Sequence, residues 1–211
     1  MKSLLCFDLD NTLIDSSKTH ILSYNAAFKK MNLPKKSAKE INSLLGMQKK
    51  EMIRILQPNI KNIKKIADLH SYYLQKKYYK YTKTLPYVKS TLKKLKKNYF
   101  IAIASNISNK KNLICLLKNV KLTDNYFDVI VTANQVKHPK PNPEEIYLAE
   151  KIIKAKTKYV IGDSIYDILT ARNAKTKSII ILECSNTPLK ELKRLRPTYI
   201  LKSFKGLRDI L

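Results

Sequence analysis

The sequence predicts an α/β protein: a doubly wound, mostly parallel sheet into which an α-helical segment is inserted. Three observations carry this prediction. Apolar runs of strand length recur along the chain, and each gives out into polar residues. Segments with helical spacing of apolar residues alternate with those runs, the pattern that right-handed crossovers between parallel strands produce. Residues 16–84 interrupt the alternation, because they carry helical spacing and no strand signal.

Leu4-Leu5-Cys6-Phe7 is a continuous apolar run and predicts a first strand over Ser3–Asp8, buried on both faces as parallel strands are. Further strands are expected at Tyr99–Ala104, Val129–Thr132, Tyr159–Ile161 and Ser178–Leu182, with an edge strand at Tyr199–Leu201. Helices are expected over Val88–Lys97, Lys110–Leu117, Pro143–Ile153 and Tyr166–Asn173. Within the insertion, Ile21, Leu22, Tyr24, Asn25 and Phe28 recur at helical spacing. Four helices fit there, broken near Pro34, Gly46 and Pro58. The expected organisation is a core of residues 1–15 and 85–211 around an insertion of residues 16–84.

A length of 211 residues suits one such core plus a small insertion. No apolar stretch approaches the roughly 20 residues that span a bilayer. The first strand begins almost at Met1 and leaves no room for a signal peptide, so a soluble cytoplasmic protein is expected. Cys6, Cys115 and Cys184 fall in or beside apolar runs without paired spacing, which predicts buried, reduced thiols. His20, His70 and His138 show no metal-ligand pattern, so structural or surface roles are expected and no zinc site.

Lys and Arg number 42 against 16 Asp and Glu, a net charge of +26. That balance ordinarily points to a polyanionic partner. Here the lysines are spread through nearly every segment and accompany abundant Ile, Asn and Tyr with only 3 Gly, the profile that AT-rich codons produce. Compositional drift is therefore preferred to nucleic-acid binding, although such a field attracts any phosphorylated substrate. The tyrosines Tyr72, Tyr73, Tyr78, Tyr79 and Tyr81 would spread around a helix, which favours packing over a base-stacking platform.

Four loops at strand ends hold the candidate chemistry. Asp8-Leu9-Asp10-Asn11-Thr12 follows the first strand, Ser105-Asn106 the second, Lys140-Pro141-Asn142-Pro143 the third, and Gly162-Asp163 with Asp167 the fourth. Open α/β sheets place ligands at the carboxyl ends of their strands. Each loop also has a plain structural reading: Asp and Ser as helix caps, Lys140 as one solvated lysine among many, and Asp163 with Asp167 as an ordinary helix start. For Asp167 the two readings are evenly matched; for all four together, coincidence in order is rejected.

The ordered set Asp8-x-Asp10-x-Thr12-Leu13, Ser105-Asn106, Lys140-Pro141-x-Pro143 and Gly162-Asp163-x-x-x-Asp167 resembles the haloacid dehalogenase superfamily, within it the phosphoglycolate phosphatase-like group with a small helical cap. Asn11 stands where many members have Gly or another residue, and Asn173-Ala174-Lys175 lacks a Gly common after the last of these helices. The resemblance implies that residues 16–84 are a cap joined by hinges near Leu13–Ser17 and Tyr81–Tyr87, with Gly46-Met47-Gln48-Lys49 where related caps place a substrate-facing loop.

By the same resemblance, Asp8 is the nucleophile that forms an aspartyl-phosphate, and Asp10 the acid and base. Ser105, the Asn106 backbone N–H and Lys140 would hold the phosphate. Mg²⁺ would be held by the Asp8 carboxylate, the Asp10 backbone carbonyl and Asp163. Asp167 would orient Lys140 or the groups around the metal. A carboxylate at Asp10, absent from dehalogenating relatives, points to phosphoryl transfer. The expected activity is Mg²⁺-dependent hydrolysis of a small phosphorylated metabolite, 2-phosphoglycolate first. Nucleotidase, pyrophosphatase and sugar phosphomutase activities remain open, as does a nucleic-acid-binding protein.

Overall fold

The computed structural model describes residues 2–211. Strand β1 (Ser3–Phe7) leads through the short strand β2 (Ile14–Asp15) into four helices, α1 (Ser17–Lys30), α2 (Ala38–Asn42), α3 (Lys49–Leu56) and α4 (Ile63–Tyr73). Strand β3 (Lys83–Thr84) closes this insertion by pairing antiparallel with β2, Ile14 opposite Thr84 and Asp15 opposite Lys83. Alternation then resumes: α5 (Val88–Leu95), β4 (Tyr99–Ser105), α6 (Lys110–Asn119), β5 (Val129–Thr132), α7 (Glu144–Ile153), β6 (Thr157–Gly162), α8 (Ile165–Asn173) and β7 (Lys177–Ile181). The chain ends in α9 (Leu189–Arg194), β8 (Tyr199–Leu201) and α10 (Leu207–Ile210).

The six strands other than β2 and β3 form one parallel sheet in the order β5-β4-β1-β6-β7-β8. Strand β1 is central, and side chains alternate across it. Leu5 and Phe7 pack with Ile101, Ile103, Ile161 and Leu92 on one face. Leu4 and Cys6 pack with Ala102, Val160, Ile146 and Ala171 on the other. A separate apolar cluster built on Tyr24, Phe28, Ile53 and Ile66 holds the insertion together. Sheet and insertion thus each have a core, and the β2/β3 ribbon is the double crossing between them.

The expected strands and helices are present, with ends displaced by one or two residues. Two expectations need correction. Only Cys6 is buried; Cys115 and Cys184 are half-buried, and all three thiols are free. Among the tyrosines, Tyr73 and Tyr79 pack against the two cores, whereas Tyr72 and Tyr81 stand exposed. The helical spacing turned only part of that stretch inward, because α4 gives way at Leu74 to a wider turn and then a tighter one. Among the described residues, no helix is long and apolar enough to cross a membrane.

The two departures from the glycine pattern are met by left-handed backbone. Asn11 has φ +60°, a conformation its short polar side chain tolerates better than most. Lys175 has φ +54° where a glycine would carry no penalty.

Candidate active site

Asp8 follows the central strand directly, and its N–H donates to the Ile161 carbonyl at 2.8 Å, so β6 fixes where the chain leaves the sheet. The next residues close a tight turn, with Leu13 N–H on the Leu9 carbonyl at 2.9 Å. That turn carries Asp10 toward the insertion. Loops after β4, β5 and β6 arrive beside it because β4 and β6 flank β1 in the sheet.

The buried Lys140 ammonium ties two loops together, donating at 2.8 Å to Asp8 Oδ1 and at 2.8 Å to Asp167 Oδ1. The other oxygen of Asp167 accepts from the Ser164 N–H at 3.1 Å and hydroxyl at 2.7 Å. Asp167 therefore serves both readings of it, as a cap of α8 and as the group that orients Lys140. Gly162 makes room for this carboxylate, since a Cβ there would lie 2.0 Å from Asp167 Cγ. Asp163 accepts from the Thr12 hydroxyl at 3.1 Å.

Asp8, Asp163 and Asp167 offer oxygens within 4.8 Å of one another. Burial raises the Asp163 carboxyl well above its ordinary value, and the neighbouring Asp167 and Asp8 add to the rise. Burial likewise pushes Asp8 up to about 7, against the opposing pull of Lys140. Burial would lower Lys140, but Asp167 and Asp8 outweigh it and hold the ammonium protonated. One lysine thus answers three carboxylates. The set is short of positive charge, and hard oxygen donors at this spacing suit a divalent cation such as Mg²⁺.

On the side facing the insertion, Asp10 accepts from the Ser16 hydroxyl, and its carboxylate lies 3.4 Å from His20 Nε2. Burial would raise Asp10, but His20 and Ser16 outweigh it and keep the carboxyl below its usual range. His20 Nδ1 is 3.2 Å from His70 Nε2, the two rings stack at 5.3 Å, and Tyr24 lies 4.1 Å from the His70 ring. Burial, with Lys49 and His20, depresses His70 well below the ordinary histidine value. The Asn106 amide donates to the Gly46 carbonyl at 2.7 Å and to the Lys140 carbonyl at 3.2 Å, linking insertion to sheet.

Every residue singled out in the sequence therefore falls in one region: Asp8, Asp10, Ser105 and Asn106 line one cavity, while Lys140, Asp163 and Asp167 lie behind Asp8. Sequence reasoning missed four contributors. Thr12 stood in the motif without a role. His20 and His70 were read as ordinary buried or surface histidines; His138 is the exposed one, bonded to Glu144. Lys49 was noted only for its loop. No spacing rule pairs residues as far apart as 20 and 70, which meet because α1 packs on α4.

Residues 5–181 match the family described as haloacid dehalogenase-like hydrolase. The chain belongs to this family. Among curated relatives, the pyrophosphatase PpaX of Halalkalibacterium halodurans is 28% identical over 213 residues, 97% of this chain and 94% of that protein. The phosphoglycolate phosphatase of Aquifex aeolicus is 26% identical over 183 residues, 85% of this chain and 84% of that one. A crystal structure of a hydrolase from Pseudomonas syringae superposes with a TM-score of 0.84 at 26% identity, covering 100% of this chain and 98% of that one. With phosphatase-named relatives matched along most or nearly all of its length, this haloacid dehalogenase-like hydrolase is a phosphatase.

Proposed function

We propose that the protein is a Mg²⁺-dependent phosphatase of a small phosphorylated metabolite, working through an aspartyl-phosphate on Asp8. The observation that carries this reading is the Lys140 bridge, 2.8 Å to Asp8 and 2.8 Å to Asp167, beside a third buried carboxylate at Asp163. Asp8 attacks phosphorus; the bond from phosphorus to the leaving oxygen breaks, and that oxygen takes a proton from Asp10. Water then attacks the phosphorus, gives a proton to Asp10, and releases Asp8 and inorganic phosphate. Ser105, the Asn106 N–H and Lys140 hold the phosphate oxygens through both steps.

The Asp8 carboxylate, the Asp10 backbone carbonyl and Asp163 would hold the Mg²⁺. Asp167 is left out of that set because both its oxygens are taken by Lys140 and Ser164. Bound there, the ion would offset the charge that these carboxylates and the phosphate bring together. Residues 16–84 act as a cap over the site, hinged at the β2/β3 ribbon, and the charge of +26 draws phosphorylated substrates rather than nucleic acid.

The first substrate to test is 2-phosphoglycolate. Inorganic pyrophosphate is a second reading, favoured by the PpaX relatives that match 97% of the chain. Phosphate release should be measured with and without Mg²⁺ over phosphomonoesters, nucleotides and pyrophosphate, with Asp8→Asn as control. Release from one or a few compounds, dependent on Mg²⁺ and abolished in a folded Asp8→Asn variant, is expected. Activity retained in that variant, or no release from any compound, would refute the reading. Steeply salt-dependent RNA or DNA binding at physiological ionic strength would instead favour a nucleic-acid partner.

A further inference from the structure

We propose that Lys49 receives a second anionic group on the substrate, so that the group leaving phosphorus itself carries an oxyanion. The inference rests on the phosphatase reading and narrows its substrate class.

Lys49 opens α3 directly after the loop that Asn106 grips at Gly46. It is 9% exposed, and its ammonium makes one hydrogen bond, to Ser71 Oγ at 2.8 Å. That hydroxyl is already fully engaged, donating to the Ala67 carbonyl at 3.0 Å and accepting from Asn112 Nδ2 at 3.1 Å. Asn112 is fixed in turn by Gln75 at 2.6 Å. Among the described residues, no carboxylate lies within 4.0 Å of the Lys49 ammonium. Two of its three donors are therefore open, on a charge held away from water, an arrangement costly unless a ligand completes it. Burial lowers its pKa to about 8, with Asp68 and Asp10 pulling the other way.

The cavity that Lys49 lines also contains Asp8 and Asp10, so this ammonium and the reacting carboxylates face the same bound molecule. Its volume is about 40 Å³. On the scale where one water needs roughly 10–15 Å³, that admits a compact substrate and no sugar or nucleoside. Leu45, Met47 and Ile107 make the remaining wall apolar. An outer cleft of about 420 Å³ meets the cavity at Lys49 and Asn106 and adds Lys50, Lys64 and Lys137, a positively charged approach for anions. The carboxylate of 2-phosphoglycolate and the second phosphate of pyrophosphate share the required chemistry, an oxyanion a few bonds from the scissile one.

The test compares Lys49→Met, which keeps the length of the side chain, and Lys49→Arg with the parent enzyme. kcat/KM is measured for 2-phosphoglycolate, pyrophosphate and ethyl phosphate, whose leaving group is neutral; calorimetry on the Asp8→Asn background measures binding of the same three. In Lys49→Met the ratio of either anionic substrate to ethyl phosphate should fall about 30-fold, equivalent to about 2 kcal/mol, the scale of a charge-assisted contact. Lys49→Arg should recover part of the ratio. Whichever substrate loses more identifies the source of the oxyanion. Equal losses on all three substrates, or none, would overturn the proposal while leaving the phosphatase reading in place. If the parent turns over nothing, Lys49-dependent binding of 2-phosphoglycolate or pyrophosphate still upholds the anion site though hydrolysis fails; binding that ignores Lys49, or no binding, overturns it.

Discussion

Glu145 offers a test of the electrostatics behind the site that does not depend on knowing the substrate. It sits in the first turn of α7, fully buried, and neither carboxylate oxygen has a hydrogen-bond partner. Burial pushes its pKa from 4.5 up to about 7, opposed by the charge of Lys140 and reinforced by Asp167. Because the folded state holds this proton more tightly than the unfolded chain, stability is greatest below about 4.5 and is lost as pH rises toward 7. A rise of that size, at 1.36 kcal/mol per unit, amounts to roughly 3 kcal/mol. Glu145→Gln keeps the volume and removes the proton. Urea unfolding at pH 5 and pH 8, without metal, should show the parent losing about 3 kcal/mol more than the variant between the two. Thermal midpoints should diverge by roughly 6–12 °C for a chain of this size. Parallel curves would mean that Glu145 ionises normally with Lys140 as its true partner, and the account of the buried charge would fail.

Other perturbations separate the roles assigned to the remaining carboxylates. Asp163→Asn should demand at least about tenfold more Mg²⁺ for half-maximal activity, and in chelator should melt higher than the parent, because one of three crowded carboxylates is gone. An unchanged Mg²⁺ requirement would remove Asp163 from the ligand set. Gly162→Ala drives a methyl group into Asp167, displacing it from Ser164 and Lys140. The lost cap and the overpacking should cost about 2–4 kcal/mol in denaturant unfolding, and misplacement of Lys140 about 100-fold in kcat. A fully active variant would show that Asp167 does not hold Lys140 in place.

The parts of the fold that the sequence makes visible are those whose periodicity outlasts a single turn. β1, β4, β6 and β7 are buried on both faces and so appear as unbroken apolar runs, and their order follows from the helices between them. The β2/β3 ribbon contributes two residues per strand, too few to leave a period of two. α9 and α10 span six and four residues, less than two turns, and were equally invisible.

The site divides in the same way. Asp8, Lys140, Asp163 and Asp167 are legible because each follows a strand of the parallel sheet, and the sheet alone brings their loops together. His20, His70 and Lys49 lie on helices of the insertion, where position depends on how α1, α3 and α4 pack, and packing leaves no fixed spacing in the chain. Chemistry and selectivity are thus written at two different levels. The reacting groups are set by strand order, which tolerates wide change in composition, including a net charge of +26. Selectivity is set by a few side chains on a separately cored helical layer, attached through a ribbon of four residues and the Asn106 contact to Gly46. Such a layer can exchange Lys49 for another residue without disturbing the Lys140 bridge, so the same core can hydrolyse different phosphates as the insertion changes.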